Sequence, residues 1–180
     1  MQEASLERQA SNQEQHATIA VITVSDRSAR GEREDISGPA ALEALARHGY
    51  TTVTLTVVAD GATVVRDAIA HAADAGARII LTLGGTGLSP RDETPEATWP
   101  LITRELPGIA EALRATARDR VPTAVLSRGL AGIIDRPGRG APSLVVNLAG
   151  SPGAARDGVS VLAPLIPHVL DQLHGGDHAS

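Results

Sequence analysis

The sequence contains no cysteine, no phenylalanine and no lysine, and it has one tryptophan and one tyrosine. Without cysteine, the chain forms no disulfide, thiolate nucleophile, iron–sulfur cluster or cysteine-ligated zinc site. Without lysine, it has neither a Schiff-base lysine nor the lysine of a P-loop, and all 16 basic residues are arginine. Because aromatic residues make up 1% of the chain and hydrophobic residues 42%, the core must be aliphatic.

The sequence also lacks a strongly basic region and a long apolar run. The formal net charge is -5, so no positive field would gather nucleic acid or an anionic membrane. The opening segment has no apolar core of the kind found in secretion signals, and no apolar run approaches membrane-spanning length. We therefore expect a cytoplasmic protein that binds neither nucleic acid nor membrane, with a disordered tail at 1–16, a single domain at 17–174 and a flexible tail at 175–180.

Short apolar runs alternate with helical patterns along the chain. The apolar runs that predict strands lie at 17–26, 50–58, 77–83 and 143–148. Helical spacing predicts helices between and after these runs, with Gly49 and Gly76 at left-handed C-termini and with Ser37, Asp60 and Thr94 available as N-caps. In the less regular segment 121–141, TAVLS and AGIID are candidates for short strands of an antiparallel flap.

The alternation of strands and helices predicts an α/β fold. We expect a mostly parallel sheet covered by helices on both faces, in three α/β/α layers, and a ligand site beyond the carboxyl ends of the strands. SDR follows the first strand, Asp60 the second and GGTGLSPRD the third, and NLAGSPG contains the end of the last. Glycines at strand ends allow backbone N–H groups to approach an anion, and a following helix adds its positive end. The pattern indicates a phosphate site, although GGTG also suits a tight turn with positive φ.

Asp60 and Asp92 lie where carboxylates would face this phosphate site. Mg2+ explains acids beside a phosphate, because carboxylate and phosphate oxygens together form a hard-oxygen site and the cation offsets their repulsion. Asp60 alternatively caps the helix that follows it, and Asp92 alternatively forms an ion pair with Arg91 or Arg104. The six histidines form no closely spaced ligand pair, and we interpret Trp99 as a packing anchor beneath the neighbouring helix.

These motifs together resemble the molybdenum-cofactor biosynthesis family, and within it the bacterial adenylyltransferase branch. The resemblance covers about 17–173, and its most specific run is GGTG-x-x-x-RD-x-TPEAT. The segments that carry it are GGTGLSPRDETPEAT at 84–98, SDR at 25–27, SG at 37–38, LPGIAEALR at 106–114, LSRGLAG at 126–132 and NLAGSPG at 147–153.

The resemblance implies an enzyme that transfers AMP from ATP to the terminal phosphate of molybdopterin, with release of pyrophosphate. It implies Mg2+ as cofactor and Asp60 and Asp92 as the two essential acids, which hold or orient the metal-bound triphosphate. A phosphate monoester is already a nucleophile at neutral pH, so the main tasks are positioning and charge neutralisation. The residues implied to line the pterin and nucleotide subsites are Ser25, Gly84, Gly85, Thr86, Gly87, Ser89, Ser127, Asn147, Gly150, Ser151 and Gly153.

The resemblance also implies a homotrimer and a downstream molybdate-inserting enzyme that receives the product. Ala149 departs from the family's frequent proline, an insert at 135–142 lengthens a hairpin, and Glu93 replaces a common valine and is expected to face solvent. Two alternatives remain open: a non-catalytic molybdopterin-binding paralogue and a nucleotide pyrophosphate hydrolase that needs no pterin. The RD-x-TP segment favours the enzyme, because the paralogues replace it and this chain retains Arg91, Asp92, Thr94 and Pro95.

Overall fold

One six-stranded sheet organises the computed structural model, which describes residues 18–136, 138 and 140–174. The tails expected at 1–16 and 175–180 lie outside these residues. The strands are β1 (Ile19–Val24), β2 (Val53–Val58), β3 (Ile79–Leu83), β4 (Arg104–Glu105), β5 (Ala131–Ile134) and β6 (Ser143–Leu148). Their order is β2-β1-β3-β6-β5-β4; the first four pair in parallel, and β5 is antiparallel to both β6 and β4.

Helices connect the strands as the periodicity predicts. The α-helices are α1 (Asp26–Ala29), α2 (Ser37–Arg47), α3 (Ala62–Asp74), α4 (Thr94–Thr98), α5 (Pro107–Arg118), α6 (Pro152–Leu162) and α7 (Ile166–Leu173). Two 3₁₀ turns lie at Trp99–Leu101 and Pro122–Leu126. Gly49 and Gly76 adopt positive φ angles of 87° and 91° after α2 and α3, which confirms the predicted C-terminal glycines.

Side-chain alternation along β1 places two aliphatic cores on opposite faces of the sheet. Ile19 and Val21 belong to a core formed with α2, α5, α6 and α7, whereas Ala20, Ile22 and Val24 belong to a core formed with α3 and α4. All six residues of β1 are buried, as expected for a parallel strand covered on both faces. The fold is the predicted α/β arrangement of a mostly parallel sheet between two helical layers.

The start of α2 differs from the prediction that Ser37 is its N-cap. Ser37 is the first residue of the helix, and its hydroxyl donates a hydrogen bond to the carbonyl of Gly150 at 2.7 Å. Asp35 acts at the helix start instead, because its Oδ1 accepts hydrogen bonds from the N–H groups of Ser37 at 3.0 Å and Gly38 at 3.1 Å. The segment Asp26–Ala29, expected to lie in a loop, forms the short helix α1.

The starts of α3 and α4 differ as well. Gly61 is the N-cap of α3, with a φ of 124°, so Asp60 lies one residue too early to cap it. Glu93, expected to face solvent, accepts a hydrogen bond from the N–H of Ala62 at 3.0 Å and so serves the start of α3. Thr94 begins α4 and its side chain makes no capping hydrogen bond. A side chain caps a helix only where the backbone aims it at a free N–H group, and at α3 that acceptor comes from a distant part of the sequence.

Three further predictions are corrected or refined by the structure. TAVLS forms a 3₁₀ turn rather than a strand, whereas the AGII part of AGIID is β5 and extends the main sheet instead of forming a separate flap. Trp99 is 56% exposed, so it is not a packing anchor beneath α4. No helix in 18–136 or 140–174 is both long enough and apolar enough to cross a membrane.

Candidate active site

A cavity of about 1170 Å³ opens beyond the carboxyl ends of the parallel strands. Its lining includes the turns after β1, β3 and β6, together with Asp60 after β2. Another part of the lining, the apolar wall, comes from α5, the second 3₁₀ turn and the residue before that turn, and contains the apolar residues Ala110, Leu113, Ala117, Val121, Ala124 and Leu126. The polar strand exits, which are the segments directly after the parallel strands, and the apolar wall therefore line a single cavity, a combination suited to a ligand with both charged and apolar parts.

The glycine turn after β3 requires glycine at two successive positions. Gly84 and Gly85 have φ angles of 113° and 63°, and a side chain at Gly84 would collide with the carbonyl oxygen of Val24. The N–H of Gly84 donates to the carbonyl of Leu148 at 3.0 Å, which joins the turns after β3 and β6. The tight turn and the phosphate site, left as alternatives above, are therefore compatible, because the turn itself lines the cavity.

The turn after β6 leads directly into the start of α6. Ser151 is the N-cap, and its hydroxyl accepts a hydrogen bond from the N–H of Ala154 at 3.1 Å. Gly150 lies so close to Gly84 that a Cβ at position 150 would be 3.0 Å from the Cα of Gly84. The positive end of an 11-residue helix thus borders the same cavity as the glycine turn.

Asp60 is held by a reciprocal pair of hydrogen bonds with Asp26. Its Oδ2 accepts from the N–H of Asp26 at 2.8 Å, and its own N–H donates to Asp26 Oδ1 at 3.2 Å. Asp26 begins α1, so the Asp60 carboxylate lies at the start of that short helix and not at the start of α3. In the part of the chain that the structure describes, Asp60 Oδ1 accepts no hydrogen bond and remains available to the cavity.

Asp92 is anchored within its own turn. Its Oδ2 accepts a hydrogen bond from the N–H of Ser89 at 2.9 Å, and a Cβ at Gly87 would lie 2.9 Å from the same oxygen. A side chain at position 87 would therefore push the Asp92 carboxylate out of its present position. Across the described residues, Asp92 Oδ1 accepts no hydrogen bond, so this carboxylate also keeps one oxygen for a ligand.

Neither arginine considered as an ion-pair partner contacts the Asp92 carboxylate. Arg91 Nη1 lies 3.6 Å from Asp26 Oδ2, and Arg104 pairs with Asp135 at 2.8 Å. The ion-pair alternative for Asp92 is therefore wrong. Asp92 and Asp60 line the same cavity, and that they face a phosphate there stays a prediction.

The Oδ1 atoms of Asp60 and Asp92, which accept no hydrogen bond from the described residues, are ligands of the hard-oxygen type that Mg2+ prefers. Among the described residues, no group of three or more histidine or acidic side chains is placed to hold a metal. Mg2+ is commonly bound by one or two carboxylates together with substrate phosphates and water, rather than by a complete protein cage. Asp60 and Asp92 are such an incomplete set, and both line the cavity together with the glycine turn.

The other predicted substrate-binding residues lie at the cavity with one exception. The residues that line it are Ser25, Gly84, Gly85, Thr86, Gly87, Ser127, Asn147, Gly150, Ser151 and Gly153. Ser89 is not among the lining residues and instead donates its N–H to Asp92. Which of these residues contacts a ligand stays a prediction.

The side chain of Asn147 is occupied by the protein itself. Its amide nitrogen donates to the hydroxyls of Thr82 at 2.9 Å and Thr98 at 3.0 Å, and its Oδ1 accepts from the N–H of Leu130 at 3.1 Å. Asn147 is 3% exposed. Its side chain therefore joins β6 to α4 and to the segment before β5, which holds the end of β6 in position beneath the cavity.

Arg128 clamps the turn that carries Asp92, and sequence reasoning assigned it no role. Its Nε donates to the carbonyl of Gly87 at 2.8 Å, and its guanidinium also contacts the backbone carbonyl of Asp92 and the carboxylate of Glu96. The Arg128 N–H donates to the carbonyl of Thr86 at 2.9 Å. No sequence signal marks these contacts, because Arg128 and Gly87 are 41 positions apart.

Arginines and acids in nearly equal number surround the cavity. The arginines are Arg27, Arg30, Arg33, Arg91, Arg114 and Arg120, and the acids beyond the two predicted ones are Asp26, Glu32, Glu34, Asp35 and Asp157. Several of these charges neutralise one another: hydrogen bonding to Arg30 lowers the pKa of Glu32, and the Arg120–Asp157 contact raises the pKa of Arg120. Arg91 is 77% exposed in its side chain and remains accessible to an anion.

The sequence matches a family profile described as "Probable molybdopterin binding domain" over residues 20–168. The chain is 42% identical over 160 residues to the molybdenum cofactor biosynthesis bifunctional protein of Synechococcus elongatus, covering 89% of this chain and 48% of that protein. It therefore spans about half the length of that relative. It is 36% identical over 160 residues to the molybdopterin adenylyltransferase of Helicobacter pylori, covering 87% of this chain and 88% of the relative.

A solved structure of a related protein shows the same fold. The molybdopterin biosynthesis Mog protein from Mycobacterium ulcerans superposes with a TM-score of 0.77 at 42% sequence identity, over 87% of this chain and 98% of that one. The expected family resemblance and α/β fold are thereby confirmed. The segment matched by the family profile contains every residue predicted for the site.

Proposed function

The chain belongs to the family of probable molybdopterin binding domains, and on that premise we propose that it is a molybdopterin adenylyltransferase of molybdenum cofactor biosynthesis. AMP is transferred from ATP to the terminal phosphate of molybdopterin, and pyrophosphate leaves. The adenylyltransferase relative, aligned over nearly its whole length, supports this activity. The observation that carries the proposal is the presence of two partly free carboxylates and a glycine turn in one cavity.

The proposed reaction needs positioning more than proton transfer. An oxygen of the pterin phosphate forms a bond to the α-phosphorus of ATP, and the bond from that phosphorus to the bridging oxygen of pyrophosphate breaks. Both reactants are anionic, so the chain must bring like charges together. The N–H groups of Gly85, Thr86 and Gly87 and the start of α6 would attract the phosphates, and the apolar wall would accommodate a ring.

Asp60 and Asp92 are the proposed catalytic residues. Both carboxylates would repel a triphosphate on their own, and bound Mg2+ would offset this repulsion and polarise the phosphate oxygens. Asp60 Oδ1 and Asp92 Oδ1 are the oxygens available for that contact, while the Oδ2 atoms are held by backbone N–H groups. The side chains are thus oriented before a ligand arrives.

Four finer features belong to the same proposal. They are a requirement for Mg2+, a cytoplasmic location, assembly as a homotrimer and transfer of the product to a molybdate-inserting enzyme. Large exposed side chains such as Leu88 (67%) and Trp99 (56%) are apolar surface that an assembly would cover. Light scattering at rising protein concentration tests the assembly, and a mass of one chain throughout would contradict it.

The activity is tested by mixing purified protein with ATP, Mg2+ and molybdopterin and measuring pyrophosphate. The proposal predicts release that depends on both molybdopterin and Mg2+. Binding of molybdopterin without release identifies a non-catalytic paralogue. Pyrophosphate or phosphate release without molybdopterin identifies a nucleotide hydrolase, and either outcome overturns the proposed activity.

The variants Asp60→Asn and Asp92→Asn test the two proposed catalytic residues. Each removes a charge but keeps the shape, so molybdopterin binding should persist while turnover falls by at least about 100-fold. Asp67→Asn is the matched control, because Asp67 lies on α3, away from the cavity, with its side chain 68% exposed. Turnover within a factor of about two of the parent in either active-site variant removes that residue from the mechanism.

A further inference from the structure

The geometry points to Asp26 as a positioning residue that fixes the proposed catalytic residue Asp60, an inference that rests on the proposed function. Asp26 follows β1, and Asp60 follows β2, so the two residues belong to neighbouring strand exits 34 positions apart. Their two hydrogen bonds form a closed ring. The Asp26 N–H holds the Asp60 carboxylate at 2.8 Å, and the Asp26 carboxylate holds the Asp60 N–H at 3.2 Å.

The two acids differ in what their oxygens contact. Asp26 Oδ1 accepts the Asp60 N–H, and Asp26 Oδ2 faces two guanidinium groups, Arg91 at 3.6 Å and Arg30 at 3.9 Å. Both oxygens of Asp26 are therefore directed at protein groups. Asp60, in contrast, keeps Oδ1 free of hydrogen bonds from the described residues. Asp26 is thus suited to hold other groups, and Asp60 to act on a ligand.

Asp26 also connects the third strand exit to the first two. Arg91 belongs to the turn after β3 and precedes Asp92 in the sequence. The acidic residue with which its Nη1 forms an ion pair is Asp26. The Asp26 side chain is 22% exposed, so these contacts are partly screened from water. The ion pair with the largely exposed Arg91 is long and exposed, so we expect it to contribute less than the hydrogen bond that the Asp60 backbone N–H donates to the Asp26 carboxylate.

The loss of Asp26 should affect turnover more than stability. Without its carboxylate, the N–H of Asp60 has no partner at Asp26, and the strand exit that carries Asp60 is held from one side only. A displacement of about 1 Å in a catalytic group lowers rates by about 100-fold. Because α1 buries no residue, its loosening removes little core packing.

Three substitutions at this position separate geometry from charge. Asp26→Asn keeps an acceptor for the Asp60 N–H but loses the charge, Asp26→Glu keeps the charge but displaces it, and Asp26→Ala removes both. We expect Asp26→Ala and Asp26→Glu to lower kcat by about 10- to 100-fold, with Asp26→Asn at least about tenfold more active than either. KM for molybdopterin should change by less than a factor of about three. Asp67→Asn again serves as control.

Two results in this series would overturn the inference. One is the reverse order, with Asp26→Glu active and Asp26→Asn inactive, which would assign the effect to charge. The other is a rise in the Mg2+ concentration for half-maximal rate in Asp26→Asn equal to that in Asp92→Asn, which would make Asp26 a metal ligand. Thermal unfolding of each variant identifies any that fails to fold.

A double variant adds a readout that a purely structural role would not move. If Asp26 acts through Asp60, then Asp26→Ala in an Asp60→Asn background should lower kcat by less than about threefold further, well short of its effect alone. If the fold-losses in kcat of the two single variants multiply in the double variant, the two residues act independently and the inference is overturned.

Crystal structures keep the test independent of the proposed activity. In Asp26→Ala the Asp60 carboxylate should leave its position against the N–H of residue 26, and in Asp26→Asn it should remain. An unmoved Asp60 in Asp26→Ala would refute the positioning role whether or not the protein is an adenylyltransferase. Absence of pyrophosphate release from the unsubstituted protein would instead refute the proposed function alone.

Discussion

At the residue scale, Thr94 shows how the glycine turn constrains its neighbours. Its N–H donates to the carbonyl of Gly85 at 3.0 Å, while its hydroxyl is fully buried and has no hydrogen-bond partner in the described structure. A Cβ at Gly85 would overlap this hydroxyl, so Gly85 and Thr94 fit together only because one of them is glycine. Thr94 thus contributes through its backbone, and its hydroxyl carries an unfavourable desolvation energy.

We predict that Thr94→Val stabilises the protein. Valine keeps the branched shape and replaces the unpartnered hydroxyl with a methyl group, which should raise the free energy of unfolding by about 1 kcal/mol. The matched control is Thr98→Val, since Thr98 is equally buried but its hydroxyl donates to Thr94 O at 2.8 Å and accepts from Asn147 at 3.0 Å. Thr98→Val should lower the free energy by about 1–3 kcal/mol.

Urea denaturation of both variants and the parent chain measures these differences. A destabilising Thr94→Val would show that the hydroxyl has a partner, such as a bound water, and would contradict the prediction. Equal effects of the two variants would show that shape alone governs this part of the turn.

Individual site residues could be predicted from the sequence where their contacts are local. Asp92 follows the glycine turn by five positions, so its presence at the turn could be predicted from the run itself. Asp26 and Arg128 could not be identified in this way, because their contacts with Asp60 and Gly87 span 34 and 41 positions. Trp99 was predicted incorrectly since apolar character alone does not show which face of a short turn is covered.

At the element scale, the turn at 84–93 and the helix α4 form one unit held by Arg128. The guanidinium contacts the Glu96 carboxylate, which lies in the first turn of α4, and the carbonyls of Gly87 and Asp92. Helix α4 has only five residues and no side-chain N-cap, so it depends on tertiary contacts. The position of Asp92 is therefore coupled to an ion pair outside the turn itself.

This coupling predicts a specific loss of stability in acid. The hydrogen bond from Arg128 lowers the pKa of Glu96 below its ordinary value of 4.5. Because the folded pKa is the lower one, the contribution of the pair is complete above 4.5 and is lost as the pH falls through the folded pKa. The difference in thermal midpoint between the parent chain and Glu96→Gln should be largest near neutral pH and shrink in acid.

Thermal unfolding followed from neutral to acidic pH measures this difference. Glu105→Gln is the control, since Glu105 is exposed and forms no ion pair in the part of the chain described. Its midpoint should follow that of the parent chain throughout. A constant offset between the parent and Glu96→Gln would show that protonation of Glu96 does not disturb the clamp.

Element types were more predictable than element ends. Four strands and the long helices follow from apolar character and periodicity: β1, β3 and β6 are buried on both faces, β2 is only partly buried, and α2 and α3 each bury one face. The caps were predicted less well. Glu93 serves the start of α3 from 31 positions away, and only the folded chain shows such a cap.

At the scale of the whole molecule, parallel topology explains why the strand exits converge. In the order β2-β1-β3-β6 all four parallel strands end at the same edge, so the turns after them must face one another. The sequence could predict this edge from the alternation of strands and helices. It could not predict the apolar wall from α5 and the second 3₁₀ turn, because the segment at 121–134 shows no clear periodicity.

The shared cavity predicts a pattern of hydrogen exchange. Molybdopterin with Mg2+ and a non-hydrolysable ATP analogue should slow exchange at 25–30, 84–93 and 149–154 together, since most residues of each segment line the cavity. The central strand Ile79–Leu83 is fully buried and should exchange slowly with or without ligand. Helix α3 contributes no lining residue and serves as the internal control. The three segments are far apart in sequence, so their joint protection indicates a ligand that contacts all of them. Protection of one segment alone would show that the strand exits do not act as a single site.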